Sequence, residues 1–376
     1  MEKCKLSING REIQFEAGQM ILEIAEDHGM HIPTLCYLKG ASPTGACRIC
    51  LVEVEGSKNL VAACATPAAA GMVIHTDSPR VVRARRLNIE LLLASGDHNC
   101  LAQGGDLDSW TDLQLKSIGR PGHEGLCPAY GDCKLQDLAI RYQVRPGRFA
   151  PSETRYSAEA VNPFIIRDFS RCILCGRCVQ ACNEIQVNNA IHFDYKGPES
   201  KIVTEGDHPL KDSNCVFCGE CVQACPVGAL VEKKSAGLVW PNEVTKVRTT
   251  CPYCGVGCQM WLHVKEGKIV KVTGVENAAP NRGRLCVKGR FAYDFIYSPD
   301  RLKTPLIREN DTFREATWDE ALDLVADRFR EINIEHGPNA IAGVSCARSL
   351  NEDSYQMQKL FRAAIGTNNI DHCART

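Results

Sequence analysis

Residues 172–182 read CILCGRCVQAC, and residues 215–225 read CVFCGECVQAC. In each stretch three cysteines fall within seven residues and a fourth follows. Two such runs in one chain form a pair of 4Fe–4S sites in which the fourth cysteine of each run serves the other cluster. One set is therefore Cys172, Cys175, Cys178 and Cys225, and the other is Cys215, Cys218, Cys221 and Cys182. Gly176 and Gly219 supply permissive backbone inside the tight loops. Pro226 follows Cys225 as the pattern expects, whereas Asn183 stands after Cys182. Zinc ribbons use separated cysteine pairs, so structural zinc fits this spacing poorly. The duplication is the strongest internal repeat in the chain.

The rest of the composition agrees with a metal-rich reading. The chain has 376 residues, enough for two or three ordinary domains, and 22 of them are cysteine. Lys+Arg is 44 and Asp+Glu 45, so no basic excess points to nucleic acid and no acidic tail is present. The N-terminal MEKCKLSING lacks the apolar core of a signal peptide, and the apolar run around IELLLAS is too short to span a bilayer. These features predict a cytoplasmic, soluble protein, where clustered cysteines mean metal rather than disulfides.

Three further sets follow from spacing. Cys36, Cys47, Cys50 and Cys64 lie among small residues (TGACRIC) that let backbone N–H groups approach sulfur, which predicts a 2Fe–2S site with structural zinc as the alternative. His98, Cys100, Cys127 and Cys133 read as a mixed His-plus-three-Cys 4Fe–4S site interrupted by a Gly-rich insert. Cys251, Cys254, Cys258 and Cys286 (CPYCGVGC…LCVKG) suit a fourth 4Fe–4S cluster, with Lys288 two residues beyond the last ligand. By spacing alone Lys288 is a surface lysine. Cys4, Cys346 and Cys373 remain as thiols outside the clusters. The expected cofactors are thus one 2Fe–2S and four 4Fe–4S clusters.

Local patterns divide the chain. Residues 1–80 open with a hairpin at Asn9-Gly10 and a short helix stopped by Gly29, giving a small α+β domain. Residues 81–145 turn helical and carry the His/Cys set, and 146–240 hold the cysteine repeat. KSAGLVWPNEVTKVRTT at 234–250 reads as a linker, and 246–300 hold the last cluster with short strands. From 301 to 376 the pattern becomes α/β. Thr317–Glu320 and Ser349–Glu352 each read as a capping box opening a helix, Gly366 as a stop, and NAIAGVSC as a buried strand of a parallel sheet. The chain shows no Ser-His-Asp arrangement, Walker loop or GxGxxG in a strand–turn–helix context. On residues alone the reading ends at a multi-cluster electron-transfer protein.

Residues 1–235 resemble the N-terminal half of the large iron–sulfur subunit of NADH:quinone oxidoreductase, a module shared with iron-only hydrogenases and NAD-linked formate dehydrogenases. The resemblance rests on the Cys36–Cys64 set, GDHNC…CPAYGDCKLQDLA and the cysteine repeat. It implies a β-grasp 2Fe–2S domain, a helical His/Cys domain and a duplicated 4Fe–4S ferredoxin domain. Here one residue separates His98 from Cys100, where the module usually has three. Residues 248–376 resemble the start of a molybdopterin oxidoreductase, specifically a formate dehydrogenase alpha subunit. TCPYCGVGCQM, NRGRLCVKGRFAYDF, DRLKTPLIR, TWDEALD and NNIDHCAR carry that likeness in order.

The second resemblance implies an α/β molybdopterin domain and, in the full-length protein, a bis-molybdopterin guanine dinucleotide holding molybdenum or tungsten. It implies that formate is oxidised to CO2 and that Lys288 relays electrons between cluster and pterin. A flavin-containing NAD(P)-reducing subunit and a small iron–sulfur subunit are the implied partners. In that family the catalytic selenocysteine or cysteine comes immediately after the position of Thr376. The sequence is therefore expected to be a reading cut at an in-frame UGA, and at this length to lack the catalytic site. A non-catalytic electron carrier of a hydrogenase or NADH-linked complex is the alternative.

Overall fold

The structure is a computed structural model that describes residues 3–96, 98, 129, 131–144, 148–150, 156–236, 238 and 243–373. The chain forms two compact units, one of residues up to Thr245 together with Lys265–Lys271, the other of Lys246–Val264 and Val272–Thr376.

In the first unit, β1 (Lys3–Ile8) and β2 (Arg11–Glu16) pair antiparallel, with Leu6 opposite Ile13. Asn9 and Gly10 both take positive φ, the type I′ geometry that Asn-Gly favours in a two-residue hairpin. Helix α1 (Ile21–Asp27) follows, then β3 (Leu51–Val54), β4 (Val61–Ala62) and β5 (Val73–His75). The sheet order is β2-β1-β5-β3-β4, with β1 and β5 parallel, which is a β-grasp. Ile21, Leu22 and Ile24 of α1 pack on Leu6, Ile8, Phe15, Val52 and Ile74, all buried. Each such side chain contributes roughly 1.5–3 kcal/mol when fully buried.

Helix α2 (Pro79–Ala94) is capped by Ser78, whose hydroxyl accepts from the Val81 N–H. Its buried stripe is Val81, Arg85, Ile89 and Leu93, spaced by one helical turn. A second core joins Ile89 and Leu93 to Leu135, Leu138 and Ala139 of α3 (Lys134–Arg141), to Leu35 and Ile49, and to Ile173, Val227 and Ala229. One apolar cluster therefore underlies the loops of three predicted cysteine sets. At the end of α2 the backbone runs so close to the Ser170 carbonyl that a Cβ on Gly96 would lie 2.4 Å from that oxygen, so only glycine fits.

The repeat region is short-elemented: β6 (Ile165–Arg167), α4 (Arg177–Gln180), β7 (His192–Asp194), β8 (Lys201–Val203), α5 (Glu220–Ala224) and β9 (Leu230–Glu232). β6 pairs antiparallel with β9, and β7 with β8.

The expected linker at 234–250 is corrected at its end. Residues 245–250 form β10 (Thr245–Thr250), the edge of a three-stranded sheet with β11 (Gln259–Lys265) and β12 (Lys268–Gly274). β-Branched Thr and Val dominate that stretch and favour the strand. Helix α6 (Val287–Phe291) and the hairpin β13 (Leu306–Glu309)–β14 (Thr312–Glu315) follow.

Helix α7 (Trp318–His336) starts where the first capping box placed it: the Thr317 hydroxyl accepts from the Glu320 N–H at 3.2 Å. The Glu320 carboxylate instead accepts from Arg314 at 2.5 Å. No residue of α7 is buried, and Leu322 and Ile334 are 58% and 80% exposed.

The second capping box does not form. Helix α8 (Asn351–Lys359) has Leu350 at its N-cap, because the Ser349 hydroxyl donates to the Cys346 carbonyl at 2.7 Å. β15 (Gly343–Ser345) pairs parallel with β16 (Ile370–His372), as the α/β pattern predicts. The strand is only half-covered: Gly343 is packed tightly under Phe361 and Met357, while Val344 on the opposite face is 73% exposed. Among the described residues no helix is long and apolar enough to cross a membrane.

Candidate metal centres

The repeat folds twice into the same loop. Leu174 and Phe217, each two residues after the first cysteine of its run, adopt φ of 52° and 53°. Left-handed backbone costs a non-glycine residue about 1–2 kcal/mol. Here it turns the Leu174 N–H onto Cys172 Sγ and the Phe217 N–H onto Cys215 Sγ, both at 3.4 Å. Gly176 and Gly219 follow at φ 78° and 75°, where a side chain would add strain, and lead into α4 and α5.

Cys172, Cys175, Cys178 and Cys225 line one cavity of about 560 Å³, open mouth included, walled by Ile173, Pro226, Val227 and Leu230. Cys221 also reaches its wall. Burial pushes the Cys172 and Cys175 thiols up to about 12, and Cys225 adds repulsion on both. Cys178 is likewise raised well above the ordinary thiol range, by burial first and then by Cys175, Cys172 and Cys225. On the other side Cys215 is raised by burial, with Cys218 and Cys182 close enough to act on it. The Ala190 N–H donates to Cys182 Sγ at 3.3 Å. Cys225 thus lies with Cys172, Cys175 and Cys178, and Cys182 lies near Cys215.

In the β-grasp domain the structure brings together Cys36, Cys47, Cys50 and Cys64. The Cys36 and Cys47 N–H groups donate to each other's sulfurs at 3.4 and 3.5 Å, and Cys50 Sγ lies 3.3 Å from Cys64 Sγ. Shared protons hold Cys36 far below and Cys64 far above the ordinary thiol range, and the Cys64 contact holds Cys50 down to about 7.

Cys251, Cys254, Cys258 and Cys286 also come together: Cys251, Cys254 and Cys286 all raise Cys258 electrostatically, after burial. The loop is closed by the Cys251 N–H donating to the Cys258 carbonyl at 2.8 Å. Lys288 follows on α6, exposed, with Nζ 5.8 Å from the Tyr253 ring centroid, and its charge reaches Cys251. Cys100 and Cys127 lie outside the described residues. Of their set, His98 is half-buried just past α2 and Cys133 is the buried N-cap of α3, two helices that share one core.

Among the described residues no three His, Cys, Asp or Glu side chains converge on a single-ion site. Cluster ligands stand differently: four thiolates are shared among two or four irons, so they surround a volume instead of meeting at a point. The cavity at Cys172–Cys225 and the backbone N–H groups aimed at sulfur fit such groups.

Sequence reasoning passed over the buried arginines, Arg85 and Arg177 among them. Arg85 is fully buried on the apolar stripe of α2. Its Nε donates to the Ile49 carbonyl at 3.0 Å, its other nitrogens to the Leu51 carbonyl at 2.8 Å, Tyr142 Oη at 2.9 Å and Asp77 at 3.0 Å. It thereby staples the strand that leaves Cys50. The signal was an arginine at a stripe position. Arg177, buried inside the first cysteine run, favours the thiolates of Cys175 and Cys225. The equivalent position in the second run is the buried Glu220.

The fold and its thiol sets define the class: a multidomain iron–sulfur electron-transfer protein. Family models match along most of the chain: a 2Fe-2S iron-sulfur cluster binding domain at 2–79, a 4Fe-4S dicluster domain at 171–229, a molybdopterin oxidoreductase Fe4S4 domain at 244–298, and molybdopterin oxidoreductase at 301–376. The molybdopterin oxidoreductase matches are thus confined to residues 244–298 and 301–376. It is 37% identical over 98% of its length to a Geobacter sulfurreducens NADPH-Fe(3+) oxidoreductase subunit alpha, 40% of which is covered. It is 35% identical over 99% to an NADH-quinone oxidoreductase subunit of Rhizobium meliloti, again 40% covered. Over 100% of its length it is 30% identical to a Staphylococcus aureus protein described as "Putative formate dehydrogenase", 39% covered. The chain thus spans about 40% of the length of these curated relatives. Among solved structures it is similar to a chain of an NAD+-reducing [NiFe]-hydrogenase in its H2-reduced state, with TM-score 0.53 and 30% identity over 63% of this chain and 90% of that one.

Proposed function

We propose that this chain is the electron-transfer part of a formate dehydrogenase whose full-length form oxidises formate to CO2. The observation that carries the reading is the joining, in one chain, of the 2Fe–2S and dicluster domains to a molybdopterin Fe4S4 domain with the ordered motifs CPYCGVGC, LCVKG and NNIDHCAR. A relative over the whole chain that bears the formate dehydrogenase description supports it.

In this reading Cys36, Cys47, Cys50 and Cys64 hold one 2Fe–2S cluster. Four 4Fe–4S clusters are held by His98 with Cys100, Cys127 and Cys133, by Cys172, Cys175, Cys178 and Cys225, by Cys215, Cys218, Cys221 and Cys182, and by Cys251, Cys254, Cys258 and Cys286. Lys288 relays electrons between the last cluster and a pterin carrying molybdenum or tungsten, with the catalytic selenocysteine or cysteine next after Thr376. When bound, these groups supply one-electron carriers, and the chain's N–H groups and burial tune them. Electrons leave to a flavin-containing NAD(P)-reducing subunit beside a small iron–sulfur subunit.

Anaerobically purified full-length complex should reduce viologen dye and NAD(P) with formate, and should contain about 18 iron atoms per chain for one 2Fe–2S and four 4Fe–4S clusters. Metal and selenium analysis separates molybdenum from tungsten and selenocysteine from cysteine. No formate-dependent dye reduction by fully loaded complex would defeat the formate reading. The second reading, an electron carrier in a hydrogenase or NADH-linked complex, draws on the hydrogenase structure and the NADH-quinone oxidoreductase relative. Hydrogen- or NADH-dependent reduction of the clusters without formate activity would favour it.

A further inference from the structure

Cys346 and Cys373 belong to none of the cluster sets, and spacing left them as unrelated thiols. The fold brings them together. Cys346 follows β15 and Cys373 follows β16, and the parallel register pairs Ser345 with His372, so the next residue on each strand is a cysteine. Their sulfurs lie 3.1 Å apart, although 27 residues separate them in sequence. Neighbouring positions on paired strands meet the backbone separation that a disulfide needs. Cys373 is exposed and Cys346 half-buried. The Cys373 contact, the Arg348 N–H at 3.3 Å and the charge of Lys288 all favour the Cys346 thiolate, which is the attacking species in thiol–disulfide exchange.

We propose that Cys346 and Cys373 form a reversible dithiol–disulfide pair that ties β15 to β16 according to the surrounding thiol–disulfide poise. The co-reactant is a low-molecular-weight disulfide. The Cys346 thiolate attacks one of its sulfurs, forming a mixed disulfide and releasing one small thiolate. Cys373 gives up its proton and attacks the Cys346 sulfur, forming the Cys346–Cys373 bond and releasing the second small thiolate. Two protein thiols lose two electrons and two protons, and one small disulfide becomes two small thiols. The link would pin the two strands of the molybdopterin domain to each other where Lys288 acts on Cys346.

The test uses full-length protein, anaerobic and with its clusters intact as judged by visible absorbance. Samples are equilibrated at graded ratios of reduced to oxidised glutathione, alkylated while folded, then digested and weighed. The expected result is that Cys346 and Cys373 lose alkylation together in one two-electron transition. Their peptides appear joined, lighter by two hydrogens than their sum. Cys346→Ser should leave Cys373 unjoined at every ratio, and Cys373→Ser should do the same for Cys346. Independent alkylation of both thiols at every ratio, or separate glutathione capping without a joined peptide, would overturn the proposal.

Discussion

Replacing Arg85 with methionine tests how the β-grasp domain holds its cysteine loop. The guanidinium is fully buried and serves the Ile49 and Leu51 carbonyls and Tyr142 Oη. Methionine keeps length and apolar contact but donates nothing. A buried acceptor left unsatisfied costs about 1–3 kcal/mol. The Asp77 contact adds little, because Asp77 is 58% exposed and such pairs contribute about 0–1 kcal/mol. Two stranded carbonyls and a hydroxyl, less what methionine recovers by packing, give about 3–5 kcal/mol, the usual cost of removing one partner from a buried charged network. At about 1.4 kcal/mol per decade, amide hydrogen exchange over residues 47–54 should speed up roughly 100-fold or more. Loss of the 2Fe–2S electron paramagnetic resonance signal on mild heating should accelerate with it. Exchange within about threefold of the parent, with the signal retained, would refute the view that Arg85 braces the strand beyond Cys50.

Cys225→Ala and Cys172→Ala should each remove the same 4Fe–4S signal, and Cys182→Ala and Cys215→Ala the other, read by iron content and electron paramagnetic resonance; signals that follow sequence runs instead would contradict the crossed arrangement. Arg177→Gln removes a cation that favours the Cys175 and Cys225 thiolates, so the potential of their cluster should fall by roughly 50 mV or more, since about 1.4 kcal/mol is 59 mV for one electron. An unchanged potentiometric midpoint would remove Arg177 from the electrostatics. At the start of α7 the Arg314 hydrogen bond holds Glu320 below the ordinary carboxylate range. A depressed carboxylate contributes stability above its unfolded pKa of about 4.3, and loses it as pH falls through the folded value. Arg314→Gln should therefore flatten the acid limb of α7 unfolding at low salt and leave the limb below both values unchanged. Because the pair is exposed, added salt should shrink the difference.

The hairpin at Asn9-Gly10, helix α1, the cap at Thr317 and the stop at Gly366 were legible because each is decided by residues within a turn of one another. The second capping box was misread for a nonlocal reason: Ser349 has a closer acceptor in the Cys346 carbonyl. The linker reading at 234–250 missed β10, because a strand there needs β11 to pair with, and pairing is invisible in a six-residue window.

By itself the sequence determined which thiols share a loop. Cysteines two residues apart, with left-handed turns between them, cannot spread beyond one site, whatever surrounds them. The repeat further implied that Cys182 and Cys225 change places. Only the tertiary structure decided where the distant partners fall. It set Cys64 against Cys50, sank Arg85 under the strand after Cys50, and laid Cys346 beside Cys373. Those contacts depend on strand register and on which helix face is covered, and both come from apolar packing summed over residues far apart in the chain.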